Sequence, residues 1–87
     1  MDDAGIRSRI ETLEAEEQRL RHDEQDAAEH GRDDKVAEDA SRLEAIRVEL
    51  DQLWDLLRRR QAARDAGQNP DDVGGLRDSG TVEGYLG

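Results

Sequence analysis

Eighty-seven residues, of which 33% are hydrophobic and 41% charged, leave room for one small domain whose core is a seam rather than a globule. A formal net charge of -10 works against a nucleic-acid surface, which needs a concentrated positive field, and the absence of Cys excludes both a disulfide framework and a thiolate metal site. An acidic chain rich in Ala, Glu, Arg, Leu and Asp instead has the profile of a long helix pair or coiled coil.

The opening Met-Asp-Asp-Ala-Gly carries no basic apolar leader, and no run approaches the roughly 18 apolar residues of a membrane span, so a cytoplasmic protein is expected. The first predicted element is a helix from about Ala4 to Glu29. Its apolar stripe of Ile6, Ile10, Leu13 and Leu20 is narrow, and Glu17 and Glu24 occupy positions where a two-stranded core prefers Leu. His22, Asp26 and His30 follow one another at intervals of four near its end, a spacing that can present imidazoles and a carboxylate to zinc. Adjacent members drift by about 40° around the helix, so a solvated polar face is the simpler reading, and neither a metal nor a cofactor is expected.

A turn is predicted at His30-Gly31-Arg32-Asp33, with Gly31 suited to a left-handed helix end and Asp33 or Asp34 to a new helix start. The second helix is predicted from about Lys35 to Ala66, with Leu43, Ile46, Leu50, Leu53 and Leu57 as its stripe. Paired with helix 1, these positions have residue numbers that add up to 63: Ile6 with Leu57, Ile10 with Leu53, Leu13 with Leu50, Glu17 with Ile46, Leu20 with Leu43 and Ala27 with Val36. A constant sum means antiparallel pairing about one turn, and the predicted fold is an all-α helical hairpin of residues 1–66. Val36, Ala40, Val48, Trp54 and Leu56 add a second apolar stripe to helix 2, more than one narrow helix covers. Pairing of two hairpins into a four-helix bundle, a homodimer, would bury it; a different protein partner is the alternative.

Folding the hairpin gathers Arg7, Arg9, Arg58, Arg59, Arg60 and Arg64 at one pole, opposite the acids of the turn. Acids early and arginines late in helix 2 complement its macrodipole, which explains the polarity structurally. The functional reading makes Arg58, Arg59, Arg60 and Arg64 a docking surface. Successive residues step about 100°, so one of Arg58, Arg59 and Arg60 is expected near the seam and two outward. Trp54, one step off the seam, either closes the hairpin edge or anchors an interface.

Gly67 reads as a helix C-cap with Pro70 three residues on, and residues 67–87 as a glycine-rich, acidic, flexible tail. It closes on Thr81-Val82-Glu83-Gly84-Tyr85-Leu86-Gly87, where Tyr85 is a candidate for folding back or for docking as a short linear motif. There is no His-Glu-x-x-His, no glycine-rich phosphate loop and no nucleophile with a base in reach; Ser8 and Ser41 lie on helices and Ser79 in the tail. No catalytic residue and no small-molecule substrate are expected.

Val48-Glu49-Leu50-Asp51-Gln52-Leu53-Trp54-Asp55-Leu56-Leu57-Arg58-Arg59-Arg60, then Ala63-Arg64-Asp65-Ala66-Gly67-Gln68-Asn69-Pro70-Asp71 and the closing Val82-Glu83-Gly84-Tyr85, resemble a family of short actinobacterial proteins grouped as a domain of unknown function. The resemblance covers nearly the whole chain and is most specific in Leu-Asp-Gln-x-Trp-Asp-x-Leu-Arg; it implies a small helical protein from a GC-rich bacterium and brings no activity or site residues with it. Only the turn, His30-Gly31-Arg32-Asp33-Asp34, differs from the serine-capped start of that pattern. Two functions remain open: a non-enzymatic accessory module that binds a protein through its apolar stripe, arginine pole or tail, and a ribosome-, transcription- or nucleic-acid-associated factor that uses the arginine pole.

Overall fold

The computed structural model describes residues 1–31 and 33–78, without the side chains of residues 27 and 28. It is a hairpin of α1 (Asp3–Glu29) and α2 (Asp33–Asp65), followed by one 3-10 turn, Pro70–Val73. Asp2 caps α1: its side chain accepts from the Gly5 N–H at 2.8 Å, satisfying one of the donors that the first helical turn leaves open. Gly31 takes the left-handed conformation expected of the turn, with φ +67°. At the end of α2 the Gly67 N–H reaches the Arg64 carbonyl and the Gln68 N–H the Ala63 carbonyl, a Schellman cap that relies on Gly67 at φ +73°. The molecule is a rod about 55 Å long, which α2 alone nearly spans at a rise of about 1.5 Å per residue.

The seam has the antiparallel register expected. Ile6, Leu13, Ile46 and Leu53 are fully buried and cluster with Ile10, Leu56 and Leu57; Leu20 and Leu50 pack against them partly buried, and Leu43 is half-buried. Two bidentate ion pairs run along one flank, Arg9 to Glu49 (2.6 and 3.0 Å) and Arg42 to Glu16 (2.8 and 2.9 Å). Both pairs share a second constant sum of residue numbers, 58, as an antiparallel ladder requires. The core is dense toward the chain ends and thins toward the turn, where Glu17, Glu24 and Asp39 occupy seam positions. The expected pairing of Ala27 with Val36 lies outside the described side chains, as does Arg32 in the turn.

Two expectations are corrected. Leu56, read as part of a second stripe left for another chain to cover, is 3% exposed within this chain. The segment read as a flexible tail begins with an ordered stretch: the Asn69 side chain accepts from the Asp71 N–H at 3.0 Å to start the 3-10 turn, and Val73 packs against the buried cluster. This strap supplies cover for α2 from within the chain, through Val73 rather than through the closing Tyr85 segment that was the candidate for folding back. Residues 79–87, including Val82, Tyr85 and Leu86, lie outside the described residues.

Candidate functional site

The arginine run ends α2, so each side chain's direction follows from its helical step and from what the strap brings over it. Arg58 points outward, exposed, with no hydrogen bond or ion pair among the described residues. Arg59 turns toward the strap and uses all three of its nitrogens: Nε donates to Asp55 at 3.0 Å, Nη1 to the Val73 carbonyl at 2.9 Å and Nη2 to the Gly75 carbonyl at 2.7 Å. Arg60 lies in the seam, 6% exposed, donating to Asp3 at 2.6 Å, Asp71 at 2.9 Å and the Pro70 carbonyl at 3.2 Å. Arg64 reaches the other oxygen of Asp3. One arginine of Arg58, Arg59 and Arg60 therefore points outward, where two were expected, because the strap draws Arg59 in.

The electrostatics follow from these contacts. The Arg64 hydrogen bond, then that of Arg60, hold the Asp3 carboxyl down at about 2 from its ordinary 3.8. Asp3 and Asp71 in turn raise the Arg60 guanidinium, which stays charged. A carboxyl lowered on folding contributes stability that is full above its unfolded value and is lost as pH falls through its folded value. The difference in melting temperature between the wild type and Asp3→Asn is therefore expected to be constant above 3.8, to shrink as pH falls below it and to vanish near 2. Thermal melts of both chains across that window check it, and a difference that grows on acidification would contradict the pairing.

Asp55 is 5% exposed and holds Arg59, with Arg77 at 3.6 Å from the same oxygen. Gln52 donates to the Arg77 carbonyl at 3.0 Å. A shallow depression between the end of α2 and the strap is lined by Arg59, Ala62, Ala63, Gln68, Val73, Gly75 and Arg77. Asp3, Asp55, Gln52 and the strap were not singled out in the sequence; the spacing of Asp55 and Arg59 was a readable i,i+4 pair, but contacts to backbone carbonyls leave no side-chain pattern.

Trp54 lies on the flank away from the strap, about 200° around α2 from both Gln52 and Leu56. It is 40% exposed, so neither the hairpin nor the strap closes over it. Near the turn, His30 Nδ1 sits 2.8 Å from the Asp26 carbonyl and His22 is exposed; no group of three or more metal-ligating side chains is assembled among the described residues. No helix among them is long and apolar enough to cross a membrane.

Sequence comparison adds family but no activity. Uncharacterized protein Rv0898c of Mycobacterium tuberculosis and uncharacterized protein Mb0922c of Mycobacterium bovis are each 45% identical to this chain over 51 residues, which is 59% of this chain and 58% of theirs. The match thus spans a little under three-fifths of those relatives. No solved structure matches significantly. The model of the family described as Protein of unknown function (DUF2630) matches residues 2–87, and the chain, a helical hairpin carrying that family's pattern almost from end to end, belongs to it.

Proposed function

We propose that the protein is a non-enzymatic, cytoplasmic interaction module, a hairpin that pairs with a second copy along the Trp54 flank into a four-helix bundle and, so assembled, serves a protein partner as an accessory subunit. The observation that carries this reading is Trp54 itself, a large aromatic 40% exposed in the middle of a helix whose other flank is already covered. Charge supports an antiparallel second copy. Asp23, Glu24, Glu29, Asp33, Asp34 and Glu38 carry no ion-pair partner among the described residues at the turn end, and Arg7 and Arg58 carry none at the other end. Antiparallel apposition brings the unlike ends of two rods together. The nucleic-acid reading has less support, because Arg59, Arg60 and Arg64 are engaged by the chain's own acids and carbonyls.

Light scattering across a concentration series tests the proposal. The mass is expected to rise from the 9.8 kDa of one chain to twice that, and Trp54→Ala to weaken association at least about tenfold while helicity by circular dichroism is unchanged. Equal association by both chains would reject the Trp54 flank as the contact.

A further inference from the structure

We infer that the strap side of α2 is a groove for a short peptide, filled in cis by residues 69–78 and able to take in trans a partner segment in which an apolar residue is followed by glycine. The inference uses the flank opposite Trp54 and stands apart from the dimer proposed above. Four carbonyls of the strap accept from side chains of α2, that of Pro70 from Arg60 and those of Val73, Gly75 and Arg77 from Arg59 and Gln52. The last three fall at alternate residues, and the Gly74 backbone turns those of Val73 and Gly75 to the one Arg59 fork. Their donors, Arg59 and Gln52, are seven residues apart, two turns along one helical face.

Beside the ion pairs of Arg60 with Asp71 and of Asp55 with Arg77, this is recognition of backbone, with Asp55 fixing the Arg59 guanidinium fork at 3.0 Å so that it spans two carbonyls. Selectivity enters at two points. Val73 packs against the buried cluster, and Gly74 adopts φ +86°, ψ −162°, a conformation essentially confined to glycine. Nothing lies within 4 Å of a Cβ built at Gly74, so the requirement is set by the backbone and not by space. The groove therefore reads an apolar residue and then glycine, on a main chain whose carbonyls are free. A tether as short as Gly67 to Asn69 gives the strap an effective concentration on the order of millimolar, so the wild-type groove is self-occupied and a partner segment enters by displacing it.

The test uses full-length chains and a fluorescein-labelled decapeptide of the sequence from Asn69 to Asp78. Gly74→Val in the protein forbids the strap's conformation while leaving the groove intact, since position 74 lies beyond both helices. The Gly74→Val chain is expected to capture the peptide at least about tenfold more tightly than the wild type does. A peptide carrying the same Gly74→Val change is expected to bind at least tenfold more weakly, as is the original peptide to a Gly74→Val chain that also carries Arg59→Lys, whose single ammonium cannot fork across two carbonyls. Amide exchange of residues 67–78 and circular dichroism verify that the strap is released and the hairpin kept. Failure of the Gly74→Val chain to capture the peptide, equal capture by the wild type, or indifference to Arg59→Lys would each overturn the inference; so would a strap still protected in the Gly74→Val chain.

Discussion

Leu53→Ala is expected to remove most of the stability of the hairpin, with a loss of about 2–5 kcal/mol. Leu53 is fully buried and clusters with Ile6, Ile10, Leu13, Ile46, Leu56 and Leu57, so the truncated side chain leaves a cavity in the densest part of the seam. Domains of this size hold a margin toward the lower end of about 5–15 kcal/mol, and a substantial unfolded population follows. Leu43→Ala is the matched comparison. Leu43 is half-buried in the thinner half of the rod, and its loss is expected to cost less than half as much. Denaturant titrations followed by circular dichroism measure both; equal costs would contradict the core gradient.

Asp39→Leu is expected to act in the opposite direction, stabilising the chain by about 1–3 kcal/mol. Asp39 sits in the seam, seven residues before Ile46, and is 3% exposed. Its Oδ1 accepts from Lys35 Nζ at 2.9 Å, but its Oδ2 is buried without a hydrogen-bond partner among the described residues. A desolvated, unsatisfied carboxylate oxygen costs more than a pair with a lysine that is 39% exposed and solvent-screened returns. Helix 1 offers no relief. In the register of the seam Asp39 stands across from Glu24, and Asp23 acts on Lys35 nearby. Leu at 39 removes the orphaned oxygen and extends the apolar stripe, whereas Asp39→Ala removes the charge without filling the space and is expected to gain less. A lower denaturation midpoint for Asp39→Leu than for the wild type would show that the carboxylate has a satisfying partner.

These two positions show how the seam ends. The register that pairs Ile10 with Leu53 continues outward to Asp3 and Arg60 at the chain ends, and to Glu24 and Asp39 toward the turn. One end closes on opposite charges at 2.6 Å, the other on two carboxylates. The turn half is therefore the weaker half, with fewer buried apolar side chains and a buried acid that is only half satisfied, and it is where local opening is expected to begin.

Much of this was legible in the sequence for a physical reason. A hairpin seam repeats the same apolar choice every 3 or 4 residues on two strands of fixed register, so its pattern is local, periodic and redundant. Gly31 and Gly67 were legible because positive φ selects glycine. The strap was not, because Arg59 and Gln52 bind main-chain carbonyls that every residue possesses. The same gap explains why two of Arg58, Arg59 and Arg60 were expected outward: Arg59 is drawn in by a segment whose glycines argued for no structure. Asp39 was passed over as one acid among many, since burial of a polar seam residue has no compositional signature. Of the candidate docking residues, Trp54 and Arg58 remain on the surface, Arg59, Arg60 and Arg64 are engaged within the chain, and Tyr85 lies outside the described residues.

Trp54 is the single tryptophan, so its fluorescence reads the proposed contact with no background from another indole. Emission and acrylamide quenching recorded along the same concentration series as the molar mass test the central claim most directly. The account predicts that, as the mass doubles, emission shifts to shorter wavelength and quenching falls, because the second copy covers the exposed indole. Doubling of mass with Trp54 still as quenchable as in the dilute chain would place the interface elsewhere and contradict it.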